Sequence, residues 1–111
     1  MTLPYAVDRD HWANLDIFNQ MGNIYSEVGR SLKTMDRIDS EEHRAVVSRA
    51  IDLFDATVES LVKKKSAKAR EVLRAKEVYL DLVNDTGASN ESLQSLDRYF
   101  MQFAVAARLS R

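Results

Sequence analysis

The apolar residues of this chain recur at intervals of three and four along most of its length, the signature of helices with one buried face. From Asn14 to Met35 they fall at Ile17/Phe18, Met21, Ile24/Tyr25, Val28, Leu32 and Met35. This predicts a first helix ending near Asp36, capped by Asn14 or Asp16. Asp39 then stands three residues before Glu42, a capping-box-like start. A second stripe follows at Val47, Ala50/Ile51, Phe54, Val58 and Leu61/Val62, predicting a helix from Ser40 to about Lys64. The third helix, Ala67 to Val83, presents Ala69, Val72/Leu73, Tyr79/Leu80 and Val83. The fourth runs from Ser89 or Asn90 to about Leu109 on Leu93, Leu96, Phe100, Phe103/Ala104 and Ala107.

The boundaries differ in sharpness. Asn84-Asp85-Thr86-Gly87 is a turn whose glycine can take the left-handed conformation that ends a helix. Between the second and third helices the chain reads Lys-Lys-Lys-Ser, with neither Gly nor Pro. A single helix across this point would be unusually long for so small a domain, and Ser66 is an acceptable cap, so a break is expected at Lys64–Ser66. No alternation of the kind that builds strands is present. The expected fold is all-α, an antiparallel up-down four-helix bundle over residues 14–111. It is preceded by an N-terminal arm, residues 1–13, which holds the one proline, Pro4, with Tyr5 and Trp12. Trp12 is expected to cover one end of the core.

Two positions interrupt this pattern in an informative way. Gly22, Ser26 and Gly29 stack beside the apolar face of the first helix. A mid-helix glycine costs about 1 kcal/mol relative to alanine, so two of them imply a compensating use, most simply the close approach of another backbone. Lys76 falls in the middle of the third helix's apolar stripe. Either its stem packs while its ammonium reaches water, or it pairs with an acid such as Glu27, Asp55 or Asp97. Gly22, Ser26, Gly29 and Lys76 are the candidate packing and assembly residues.

Charge changes the picture next. The net charge of −1 over 111 residues conceals a dipole: residues 1–61 carry 6 Lys/Arg against 11 Asp/Glu, and residues 62–111 carry 10 against 6. Most of the positive excess lies at Lys63, Lys64, Lys65, Lys68, Arg70 and Arg74, with Lys76 following. These are the candidate nucleic-acid contacts. A solvated helix junction is the competing explanation, favoured by the near-neutral total and by the lack of aromatics among the lysines.

Enzyme chemistry finds little support. There is no cysteine, so thiolate metal sites and Cys nucleophiles are excluded. Neither His11 nor His43 has Glu three positions before it, as carboxylate-bridged metal bundles require, and His43 is expected at an exposed helix start. Ser26, Ser31, Ser48 and Ser60 have no His and acid to activate them that the sequence suggests. The glycines lie inside a helix, not in a phosphate-binding loop. No cofactor is expected. The N-terminus lacks the basic and apolar regions of a signal peptide, and no apolar run approaches the length of about 18 residues needed to span a membrane. A cytoplasmic location with no membrane partner is the expectation.

The segments Met21–Arg30 (MGNIYSEVGR), Arg49–Glu59 (RAIDLFDATVE), Arg70–Asp81 (REVLRAKEVYLD) and Tyr99–Leu109 (YFMQFAVAARL) resemble a family of small prokaryotic all-helical proteins. That family carries a Gly-Ser-Glu-Val-Gly-Arg pattern in its first helix; here Tyr25 replaces the first glycine. The family has no assigned activity, so the resemblance implies no catalytic residue. In architecture alone the chain is also similar to the small bundles that accompany diversity-generating retroelements and to those encoded within ribosomal-RNA intervening sequences. The former assemble as rings and contact nucleic acid. Together these readings predict a non-catalytic interaction or assembly subunit, partnered by a protein or by itself as a homo-oligomer. The alternative is a nucleic-acid-binding accessory protein that uses the basic junction.

Overall fold

The computed structural model describes residues 6–109, and all of its regular structure there is helical. The arm's Pro4 and Tyr5 lie outside the described residues. The helices are α1 (Arg9–Ala13), α2 (Ile17–Lys33), α3 (Glu41–Lys63), α4 (Lys68–Val83) and α5 (Asn90–Leu109), with one 3-10 turn, Met35–Arg37, between α2 and α3. The four long helices coincide with the four predicted stripes. The arm contains one short helix, α1, capped by the Asp8 carboxylate, which accepts from the amides of Asp10 and His11.

Caps account for most boundaries. Asp16 accepts from the Asn19 amide at 2.8 Å and opens α2, so the helix begins after Asn14. Ser40 accepts from the His43 amide at 3.1 Å and opens α3; the expected Asp39 does not hold that place. Ser89 accepts from the Ser92 amide at 3.1 Å and opens α5. The break at Lys64–Ser66 is real and is made without glycine. Lys65 takes the left-handed conformation at φ 55°. Its amide donates to the Val62 carbonyl at 3.0 Å, and the Ser66 amide donates to the Leu61 carbonyl at 2.9 Å. This is the bond pair that closes a helix terminus, and a side chain there costs about 1 kcal/mol. Gly87, by contrast, has no positive φ. The turn it was expected to shape is held by Asp85, whose carboxylate accepts from the Gly87 amide at 2.8 Å.

α2 lies at the centre. Its most extensive contact is with α5 and its next with α3; α3 in turn packs on α4 and α1, whereas α4 and α5 barely touch. The core is built from Met21, Ile24 and Val28 of α2, Phe54 of α3, Tyr79 of α4 and Phe100 of α5, all essentially inaccessible. Phe54 stands between the last two, 5.7 Å from the Tyr79 ring and 5.8 Å from Phe100 edge-on.

Buried polar groups pin both ends of this core. At one end the Trp12 indole donates to Thr57 Oγ1 at 2.9 Å, and Gln20 donates to the Trp12 carbonyl at 2.9 Å. At the other end His43 is 1% exposed, against the expectation of an exposed helix start. Its Nε2 is 3.1 Å from the Val83 carbonyl at the end of α4, and its Nδ1 is 2.6 Å from Thr34 Oγ1 at the end of α2. A carbonyl only accepts, so Nε2 carries a proton. Tyr79 donates to Ser31 Oγ at 2.9 Å, and Ser31 donates to the Val28 carbonyl at 2.7 Å. Burial pushes the Tyr79 hydroxyl up from 10.0 to about 12; the Ser31 bond opposes that rise and the charge of Glu27 adds to it.

Candidate interaction surface

Each seam between neighbouring helices is set by the residues that face it. Along α2 and α5, glycine and alanine allow near contact: a Cβ added at Gly22 would lie 3.6 Å from Ala104 Cα and 3.9 Å from Ala107 Cβ. The Tyr25 hydroxyl crosses the same seam to donate to Asp97 at 3.0 Å; burial first, then this carboxylate, raises its pKa. Further along α2, Ser26 is exposed. A Cβ added at Gly29 would meet nothing within 4 Å, so among the described residues no neighbouring helix presses on Gly29.

Lys76 makes a specific contact. Its ammonium pairs with Asp55 at 2.7 Å, the second of the three acids its position suggested. Both side chains are partly exposed, so the pair staples α4 to α3 at the surface and contributes at most about 1 kcal/mol.

Between α4 and α5 the seam is open. The helices make little contact and leave a groove of about 640 Å³. Ala75, Val78 and Leu82 of α4 line one wall, and Leu96 and Tyr99 of α5 line the other. Glu71 and Arg74 stand at the groove on the α4 side, Glu91 and Arg98 on the α5 side. Val78 is 45% exposed, a large apolar residue left to water at the middle of a helix. Burial, and then the charge of Glu71, raises the pKa of the Tyr99 hydroxyl. The groove thus has an apolar floor with charges of both signs around it.

α5 carries a second unpartnered feature. Met101, Val105 and Leu109 follow one another at four-residue steps and are 41%, 47% and 79% exposed. They form an apolar ridge along the outside of the helix. Neither the groove nor the ridge was foreseen from the sequence. The signal for the ridge was available, since these three residues lie off the predicted α5 stripe.

The basic residues gather at the end of the molecule where α3 gives way to α4. Lys63, Lys64, Lys65, Lys68, Arg70 and Arg74 are all exposed, and none forms an ion pair among the described residues. Lys64 donates to the Ala13 carbonyl at 3.0 Å, and the Lys68 ammonium stands over the Phe18 ring at 5.8 Å. Arg74 is set apart from the cluster, about 9 Å along α4 from Lys68, at the groove. Among the described residues no three His, Asp or Glu side chains gather in a metal-binding arrangement, and no helix is long and apolar enough to cross a membrane.

Comparisons with protein-family models, curated proteins and solved structures find no match to this chain. The family resemblance therefore rests on the four quoted segments alone.

Proposed function

We propose that this chain is a non-catalytic interaction subunit. In this reading its long helices form an antiparallel up-down bundle opened along α4 and α5, and the opening receives a helix. The observation that carries it is the apolar-floored groove, in which Val78 is left 45% exposed. A side chain of that kind gains about 25 cal/mol for each Å² that a partner covers. The absence of cysteine suits a reducing, cytoplasmic setting.

The test uses a photoreactive phenylalanine analogue placed singly at two positions of the full chain, in the cells that produce it. At Val78, in the groove, irradiation is expected to give a discrete band of higher mass. At Leu73, also exposed but outside the groove lining, it is expected to give none. No band from Val78, or the same band from both positions, defeats the reading.

A second reading is favoured by one observation, the five exposed cations at the junction, Lys63, Lys64, Lys65, Lys68 and Arg70, that form no ion pair among the described residues. In it the junction contacts the phosphates of a nucleic acid, and affinity falls steeply with salt as counterions are released. Changing Lys63, Lys64, Lys65 and Lys68 together to Gln retains helix propensity. Under this reading the change weakens binding to RNA and DNA alike and flattens the salt slope in an anisotropy titration. Absence of binding by the wild-type chain at low salt removes the reading.

A further inference from the structure

We infer that the end of the molecule where α3 turns into α4 seats on an anionic lipid surface. This contact does not involve the groove. The Lys64 ammonium reaches the Ala13 carbonyl, and the Lys68 ammonium stands over the Phe18 ring, so the turn lies beside the start of α2. A Cβ added at Gly22 would lie beside Ala104 and Ala107, so α5 also runs out, at Leu109, near the start of α2. The cations gathered at this end keep their charge. Lys63, Lys64, Lys65, Lys68 and Arg70 form no ion pair among the described residues. Two acids of the same end are engaged elsewhere: Asp16 caps α2, and Glu59 pairs with Arg9.

Apolar side chains choose between the anionic surfaces that would suit these charges. Among the described residues, the two large apolar side chains most open to water are Leu109, 79% exposed, and Val62, 60% exposed. Both stand at this end, Val62 in the last turn of α3 beside Lys63 and Leu109 at the close of α5. A nucleic acid offers phosphates, and bases that stack on aromatic rings. Aliphatic side chains gain little from either, and the ring at this end, Phe18, already carries the Lys68 ammonium. A bilayer interface takes both components. Anionic headgroups attract the cations, each strengthening binding about fivefold, and the acyl boundary covers Val62 and Leu109. No helix is long and apolar enough to cross a membrane among the described residues, and a contact with the membrane surface needs none. The expectation of no membrane partner rested on spanning and signal segments, which this contact does not use.

Flotation of the full chain with vesicles tests the contact. At low salt, vesicles of phosphatidylcholine and phosphatidylserine are expected to carry the chain upward, and vesicles of phosphatidylcholine alone to leave it behind. High salt should weaken the binding by screening. Changing Lys63, Lys64, Lys65 and Lys68 together to Gln should weaken it at least about a hundredfold. Val62→Ser should weaken it about fivefold, a loss that attraction through charge alone would not show. Thermal melts establish that each variant is folded, which the exposure of these positions favours. Absence of flotation with phosphatidylserine vesicles at low salt overturns the inference. So does equal flotation with both kinds of vesicle, or binding indifferent to Val62→Ser. A chain that binds a DNA duplex and ignores the vesicles likewise overturns it, and returns the junction to the nucleic-acid reading.

Discussion

The two seams that α5 makes, one with α2 and one beside α4, are built from different residues and come out closed and open. On the α2 side a Cβ added at Gly22 would stand at ordinary van der Waals distance from Ala104 and Ala107, and Tyr25 adds a hydrogen bond to Asp97. On the α4 side Val78 and Leu82 face Leu96 and Tyr99 across about 640 Å³. Small residues let two backbones close up; branched and aromatic residues of middling reach hold them apart while remaining too short to fill the space. What spans the open side is Phe54, reaching from α3 to touch both Tyr79 and Phe100. The contrast separates residues that hold this chain together from residues left for something else.

The largest expected effect comes from removing that span. Phe54→Ala should cost about 3–5 kcal/mol, a large share of the stability of a domain this size. Denaturant unfolding followed by circular dichroism measures it. A midpoint close to wild type would mean that α4 and α5 are joined by something other than Phe54.

The glycines sharpen the comparison on the closed side. Gly22→Leu forces a branched side chain against Ala104 and Ala107 and should cost about 1–3 kcal/mol. Gly29→Ala has open space and should gain about 1 kcal/mol from helix propensity alone. Melting curves recorded in parallel settle the pair, and an equal loss at both positions would erase the distinction between a packed and an unpacked glycine.

The smallest effect at neutral pH is the most specific. Tyr79→Phe removes the bond to Ser31 and should cost about 1 kcal/mol. Because the folded state holds the Tyr79 proton up to about 12, against an ordinary value of 10.0, wild type keeps the full contribution below pH 10.0. It loses that contribution as pH rises through the folded value. The variant should lack this alkaline loss, so the two stabilities converge between pH 10.0 and about 12. Urea melts at several alkaline pH values detect the convergence; parallel curves would place the Tyr79 hydroxyl in water.

Much of this architecture is legible in the residues. The periodicity of Met21, Ile24 and Val28, or of Leu96 and Phe100, is fixed by the helix repeat and needs no tertiary knowledge. The break at Lys64–Ser66 followed from helix length, and its agent, Lys65 in the left-handed region, did not. Periodicity names a face but not its breadth. α3 touches α1, α2 and α4, so its buried arc widens to take in His43, Val46, Leu53 and Thr57, while Val62, at the edge of the predicted stripe, is left exposed. His43 was misplaced for the same reason: a helix start is exposed only when no other helix ends against it, and here α2 and α4 both do. The groove was beyond reach because it depends on the angle between α4 and α5, which no local pattern specifies. Lys76 was partly legible: its place in the stripe narrowed the partner to three acids, and packing chose Asp55.

The tight α2–α5 seam also has a consequence for synthesis. Its hydrogen bond joins residues 72 apart in the chain, and its α5 half is made after the other four helices. A chain growing from its N-terminus can pair α2 with α3, and α3 with α4, as they emerge. Gly22, Tyr25 and their neighbours nevertheless stay uncovered until α5 leaves the ribosome. Docking of α5 therefore comes only after every earlier helix has been made. A nascent chain stalled or truncated before Asn90 presents to the cell's chaperones and proteases the very face around which the finished protein is built.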